Sequence, residues 1–183
     1  MSDVSHTIHK PYQSFWVEKF EEEKIMLKEI FGDKTIAIEH IGSTSIPGLL
    51  SKPIVDIAVM IENPEDADSF TEPLVNLGYR FHSSSTERYF YTKGTPIEYH
   101  VSIAYADRGG FWPRQILFRD YLRTNPEARD EYARLKERLL QKDPTGKGEY
   151  LSGKTEFVQK ILERAGWKEG QTYRTMLPLQ KRV

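Results

Sequence analysis

One stretch of the chain gathers groups suited to phosphate or metal chemistry. It runs His40-Ile41-Gly42-Ser43-Thr44-Ser45-Ile46-Pro47-Gly48 and continues through Lys52 to Asp56. Glycine lets a backbone approach a phosphate closely, and hydroxyls with free N–H groups donate to phosphate oxygens. Gly42, Ser43 and Thr44 are therefore candidate phosphate contacts, with His40 placed to orient the turn. Asp56 follows Ser43 by 13 residues and sits in the apolar run PIVDIAVMI. A carboxylate there is costly unless it meets a cation or hydrogen-bond donors. A divalent ion would satisfy it, since hard cations take carboxylate oxygens. The plainer alternatives are a tight turn at Gly42-Ser43 and a structural Asp56 paired with Lys52, His40 or Arg88.

The elements that must position these groups follow from periodicity. Residues 12–31 read as an amphipathic helix, with Trp16, Phe20, Leu27 and Ile30 near one face and Glu18, Glu21, Glu22 and Glu23 toward water or capping the first turns. Residues 35–41 alternate as a strand, 42–48 form a loop by composition, and 53–61 read as a central strand covered on both faces. A helix is expected over 64–77, with Asn63 as N-cap, Pro64 at its first position and Pro73 as a kink. Three strands follow, at 79–82, 88–93 and 96–105, the last two joined over Lys93-Gly94-Thr95. Beyond residue 110 the period becomes helical. One helix carries Trp112, Ile116, Leu117, Tyr121 and Leu122. Another opens at Asn125-Pro126, a loop spans 146–152, and a helix covers 154–165. Residues 166–183 show no clear period. The fold class is α+β: a mixed sheet in the first half with helices leaning on one side, then a helical second half, within a single domain over 1–183.

The ordered segments EHIGSTSIPGLLSKPIVDI, the strand around Glu98-Tyr99-His100-Val101, LFRDYLRTNP, YARLKERL and GKTEFVQKIL resemble the GrpB family. That family is placed in the nucleotidyltransferase superfamily, which shares the fold of DNA polymerase beta. The resemblance spans about residues 11–167 and implies a sheet half over 11–107, a helical half over 108–167 and a tail over 168–183. It matches Gly42 and Ser43 to a phosphate-contacting turn and Asp56 to the first metal carboxylate. The second acid of the superfamily would fall two residues on, and Ala58 stands there. Two-metal transfer needs carboxylates that bridge the ions, so a ligand is missing. Glu98 and His100, at i and i+2, would share a face of the later strand. They are expected to form with Asp56 one polar cluster around a single Mg²⁺ or Mn²⁺, with a nucleoside triphosphate as candidate substrate and His100 as ligand or proton acceptor. Lys52 and Arg119 would neutralise developing charge, and Lys154, opening a helix, is a further anion contact. A ring among Tyr89, Phe90 and Tyr91 could stack on a base.

Charge and composition set limits. The net charge of -1 hides a polarity: residues 1–107 sum to -8 and residues 108–183 to +7. The chain has 0 cysteines, which excludes disulfides, thiolate zinc sites and thiol catalysis. His6 and His9 fall in an N-terminus expected to fray, which also lacks the basic and apolar regions of a signal peptide. No apolar run is long enough to span a membrane, and a cytoplasmic location is expected. The basic half is mixed in sign and has no basic–aromatic motif, which argues against nucleic acid. The functional expectation is a nucleotidyltransferase-like protein binding a nucleotide or phosphorylated small molecule between the halves. The alternative is a non-catalytic nucleotide-sensing module, or one that docks a partner such as a coenzyme A pathway enzyme, as domains fused to dephospho-CoA kinase suggest.

Overall fold

The structure, a computed structural model, describes residues 9–146 and 148–180. Five strands make one mixed sheet: β1 (Thr35–Ile41), β2 (Val55–Ile61), β3 (Tyr79–Ser84), β4 (Arg88–Lys93) and β5 (Tyr99–Tyr105), in the order β1-β2-β5-β4-β3. β2 and β5 run parallel, and the other neighbours are antiparallel. The parallel register sets Asp56 beside His100, and the antiparallel one sets Asp56 beside Ile41. The end of β1, the start of β2 and the start of β5 therefore meet at one place.

The central position of β2 explains its apolar sequence. Val55, Ile57, Val59 and Ile61 pack with Trp16, Phe20, Leu27 and Phe31 of α1 (Phe15–Phe31). On the opposite face Ala58 and Met60 pack with Phe111, Trp112 and Ile116 of α3 (Phe111–Thr124). Helices thus cover both faces, where the sequence pattern suggested one side; a strand apolar on both faces needs two covers. Asp56 shares the α3-side face with Ala58, just before that face closes over. α1 corrects a second expectation. Glu23 falls on the apolar stripe and is buried, accepting hydrogen bonds from Tyr79 Oη at 2.8 Å and Lys93 Nζ at 2.7 Å.

Between β2 and β3 the expected single helix splits into a 3-10 segment, Pro64–Phe70, and α2 (Thr71–Asn76). Pro73 lies in the first turn of α2, where no intrahelical N–H partner is needed, so it kinks nothing. The turn between β4 and β5 is wider than expected, with Glu98 N donating to Lys93 O at 2.9 Å, and β5 starts only at Tyr99. In the second half α4 (Pro126–Lys142), α5 (Gly148–Arg164) and the end of α3 pack with the loop after β1 through Ile46, Leu49, Leu122, Tyr132 and Ile161. α5 begins inside the stretch expected to be loop. It approaches α4 so closely that a side chain at Gly153 would strike Leu139. The tail also gains a helix, α6 (Tyr173–Gln180). Its start docks on Trp112 through Tyr173, and Arg174 N donates to Ala106 O at 3.2 Å. No helix among the described residues is long and apolar enough to cross a membrane.

Candidate functional site

β1 ends at Ile41, and the chain turns at Gly42 with φ +69° into a short 3-10 segment, Ser43–Ser45. Glycine is needed there twice over. The backbone is in the left-handed region, and a Cβ would fall on the Asp56 carboxylate. The close approach expected of Gly42 is thus to the neighbouring acid itself.

Two adjoining cavities open beside the turn. The larger, about 430 Å³, runs from Gly42, Ser43, Asp56 and His100 past Arg88 and Lys154 to Phe111, Phe118 and Leu162. The smaller, about 150 Å³, is bordered by Ser43, Thr44, Lys52, Asp56, His100, Tyr150 and Lys154. Ser43, Asp56, His100 and Lys154 belong to both. Of the residues singled out from sequence, the structure therefore gathers Gly42, Ser43, Thr44, Lys52, Asp56, His100 and Lys154.

Asp56 and His100 form a pair, with His100 Nδ1 2.8 Å from Asp56 Oδ1. A carboxylate only accepts, so Nδ1 carries the hydrogen in this contact. Thr44 is placed differently from expectation. It is buried, its hydroxyl donates to Ile54 O at 3.1 Å, and it meets His40 Nε2 at 3.0 Å. With that hydroxyl hydrogen engaged, Thr44 receives from His40 and ties the turn to the start of β2 instead of offering a donor to ligand. His40 is buried and stacked on Phe20. Burial lowers its pKa to about 4, with Arg123 and Arg119 adding to the shift against Asp56. It is a neutral positioning group, as its orienting role requires.

Two expected site residues lie elsewhere. Glu98 precedes β5, so the i, i+2 alternation with His100 does not hold; its carboxylate pairs with Lys19 of α1, across the sheet from the cavities. Arg119 is buried, donating to Glu39 at 2.7 Å, Asp120 at 2.7 Å and His40 O at 2.9 Å, and it borders neither cavity. Its fork clamps α3 to β1. The donor set therefore does not fit the two-ion arrangement of the superfamily. Ala58 stands where the second carboxylate would fall, Glu98 lies across the sheet, and among the described residues Asp56 is the one acid that lines these cavities. Among the described residues no three His, Cys, Asp or Glu side chains are grouped so as to hold a metal ion.

Two basic groups outside the expected set of ligand contacts also stand at the site. Arg88 donates to Ser102 Oγ at 2.7 Å and lies 4.6 Å from the rings of both Phe90 and Phe111. Burial lowers its pKa although Asp56 and Glu87 oppose this. Lys136, from α4, is 1% exposed; its ammonium donates to Ser43 Oγ at 3.3 Å and to Leu50 O. Burial, then the nearby charge of Lys154, brings its pKa down to about 7. Lys154 lies over the Tyr150 ring at 4.5 Å, and burial and Lys52 lower its pKa more than Asp56 raises it. The only sequence hint of Lys136 is its place on the Ala128-Tyr132-Leu135-Leu139 face, where a buried turn of α4 is due. His9, expected to fray, meets Tyr150 Oη at 2.8 Å and borders the smaller cavity, while His6 lies outside the described residues.

Comparison with known proteins supports both the fold and the kinship. A solved structure of the conserved protein GrpB from Enterococcus faecalis superposes with a TM-score of 0.80 at 37% identity, covering 86% of this chain and 96% of that one. A Cid1 poly(U) polymerase structure superposes at 0.55 with 16% identity, covering 79% of this chain and 49% of that one, a likeness of fold alone. The fold is thus nucleotidyltransferase-like. The UPF0157 protein YqkA of Bacillus subtilis is 38% identical over 164 residues, which are 87% of this chain and 48% of that protein. The present chain spans about half the length of that relative. A dephospho-CoA kinase of Mycolicibacterium paratuberculosis is 30% identical over 177 residues, covering 78% of this chain and 43% of that one. A family model described as GrpB protein matches residues 8–164. The chain belongs to the GrpB family.

Proposed function

We propose that this protein binds a nucleotide or another phosphorylated small molecule, with phosphate at the Ser43 turn between Lys52 and Lys154. One observation carries the reading: lysines from the loop before β2, from α4 and from α5 converge on Ser43 beside a single carboxylate. The ammonium groups of Lys136 and Lys154 are held out of water, which is costly unless an anion completes their surroundings. The aromatic and apolar wall of the larger cavity, with Phe111, Phe118 and Leu162, suits the organic part of such a ligand.

Metal-dependent nucleotidyl transfer is the second reading, favoured by the nucleotidyltransferase-like fold and by the Asp56–His100 pair. Against it stand Ala58 and the position of Glu98, which favour a non-catalytic binding module. The relatives named dephospho-CoA kinase make a coenzyme A pathway enzyme a candidate partner, and coenzyme A and dephospho-CoA suitable probes. Calorimetric titration with ATP, pyrophosphate, coenzyme A and dephospho-CoA tests the proposal. Lys154→Ala is expected to weaken whichever ligand binds by about tenfold, the loss of one charge-assisted contact. Absence of binding for all four at millimolar concentration would sink it.

A further inference from the structure

We propose that lysine ammonium groups take the place of divalent ions in this cleft, so that its ligand is a metal-free di- or triphosphate chain. This rests on the phosphate reading above and goes beyond it by stating the form of the ligand. In a two-metal site the carboxylates gather cations, and the cations gather the phosphates. Here the first half of that arrangement is missing. Asp56 Oδ1 accepts from His100 Nδ1 at 2.8 Å. The other oxygen lies 2.4 Å from where a Cβ of residue 42 would be, on the side of the turn. The position two residues on is Ala58, and it is fully buried.

The second half of the arrangement is supplied by the chain. Lys154 borders both cavities with Asp56, Lys52 borders the smaller one, and Arg88 borders the larger one. Lys136 stands behind Ser43 and donates to its hydroxyl at 3.3 Å, leaving the Ser43 O–H free to turn toward an anion. These are four cationic side chains from four segments of the chain, around one carboxylate. Their mutual repulsion is already felt: Lys52 lowers the pKa of Lys154, and Lys154 lowers that of Lys136. A dication entering beside Asp56 would add to that repulsion, while a polyphosphate would remove it. Metal chelation of the same ligand would screen the oxygens that the lysines reach.

The two roles make opposite demands on Asp56. Where a metal bridges ligand and protein, the carboxylate holds the ion, and Asp56→Asn must weaken binding. Where lysines hold the anion directly, the carboxylate repels it, and Asp56→Asn keeps the side-chain shape while removing the repulsion. The experiment is calorimetric titration of the full chain with pyrophosphate, once in EDTA and once in excess Mg²⁺. The wild type is expected to bind in EDTA and to lose at least tenfold in affinity with Mg²⁺. Asp56→Asn should bind in EDTA as tightly or a few-fold more tightly. Lys154→Ala should lose about tenfold in EDTA while keeping the wild-type circular dichroism spectrum. Binding that requires Mg²⁺, or a loss on Asp56→Asn in a folded variant, overturns the inference and leaves the phosphate reading standing. No binding of pyrophosphate in either buffer overturns this inference, and failure of all the organic probes as well removes the phosphate reading with it.

Discussion

His40 sits where a charged imidazole is hard to accommodate, flat against Phe20 with its Nε2 on Thr44. Its pKa in the folded chain is about 4, against 6.5 for the free side chain. A depressed pKa means the folded state refuses a proton that the unfolded chain accepts. The stabilisation is therefore complete above pH 6.5 and lost as pH falls through 4. The shift corresponds to roughly 3 kcal/mol. Unfolding free energies from urea titrations should fall between pH 7 and pH 4 by about that much more in the wild type than in His40→Gln, which has no ring to protonate. Parallel curves would contradict the neutral, orienting role. The contact of His40 with the turn was legible in the sequence because the two are only 4 residues apart. Glu98 was not legible in the same way. Whether it shares a face with His100 depends on where β5 begins, and a difference of one or two residues in a strand start sends a side chain to the opposite side of the sheet.

At the scale of elements, α3 and α4 use their basic residues in a way that periodicity does not reveal. Arg119 donates to His40 O, Arg123 donates to Ser45 O at 2.9 and 2.7 Å, Arg129 reaches Pro47 O at 3.4 Å, and Lys136 donates to Leu50 O. The two helices grip the backbone carbonyls of residues 40–50 one after another, and this holds the Ser43 turn in place. The apolar faces of these helices could be read from spacing. The partners of their charges could not, because they lie 78 to 86 residues away along the chain. Lys136 is the extreme case. Its pKa of about 7 lies far below 10.5, so its contribution to stability is complete above pH 10.5 and lost as pH falls through 7. At pH 7 the burial penalty is on the order of 4 kcal/mol, larger than the roughly 1–3 kcal/mol expected from losing its hydrogen bonds. Lys136→Met should accordingly be more stable than the wild type by about 1–3 kcal/mol at pH 7, with the advantage shrinking toward pH 10. It should also bind pyrophosphate more weakly. A variant that is less stable at pH 7, by urea midpoint, would show that the ammonium is held for the fold and not for a ligand.

For the whole molecule, the opposed charges of -8 and +7 across residues 1–107 and 108–183 now divide into separate uses. Part of the positive excess clamps the loop after β1, part meets local acids such as Glu87 with Arg114 and Glu156 with Lys160, and Lys154 faces the cavity. The acidic half supplies the lone Asp56, while Glu98 and Glu23 are taken up by Lys19 and Lys93. The cleft therefore lies where the sheet half, through Ser43 and Asp56, meets the helical half, through Lys136 and Lys154. A ligand bound there should tie the two halves together. At a hundred times its dissociation constant it would stabilise the folded state by about 2.7 kcal/mol. Amide exchange gives the location. With saturating pyrophosphate, the amides of Ser45 and Ile46, which close the turn onto Gly42 and Ser43, should slow together with those of the first turns of α5. Amides of β3, at the far edge of the sheet and outside the lining of both cavities, should keep their rates. Protection confined to α4 and α5 would mean that the anion meets only the basic surface of the second half, and the turn that the whole fold converges on would then serve structure alone.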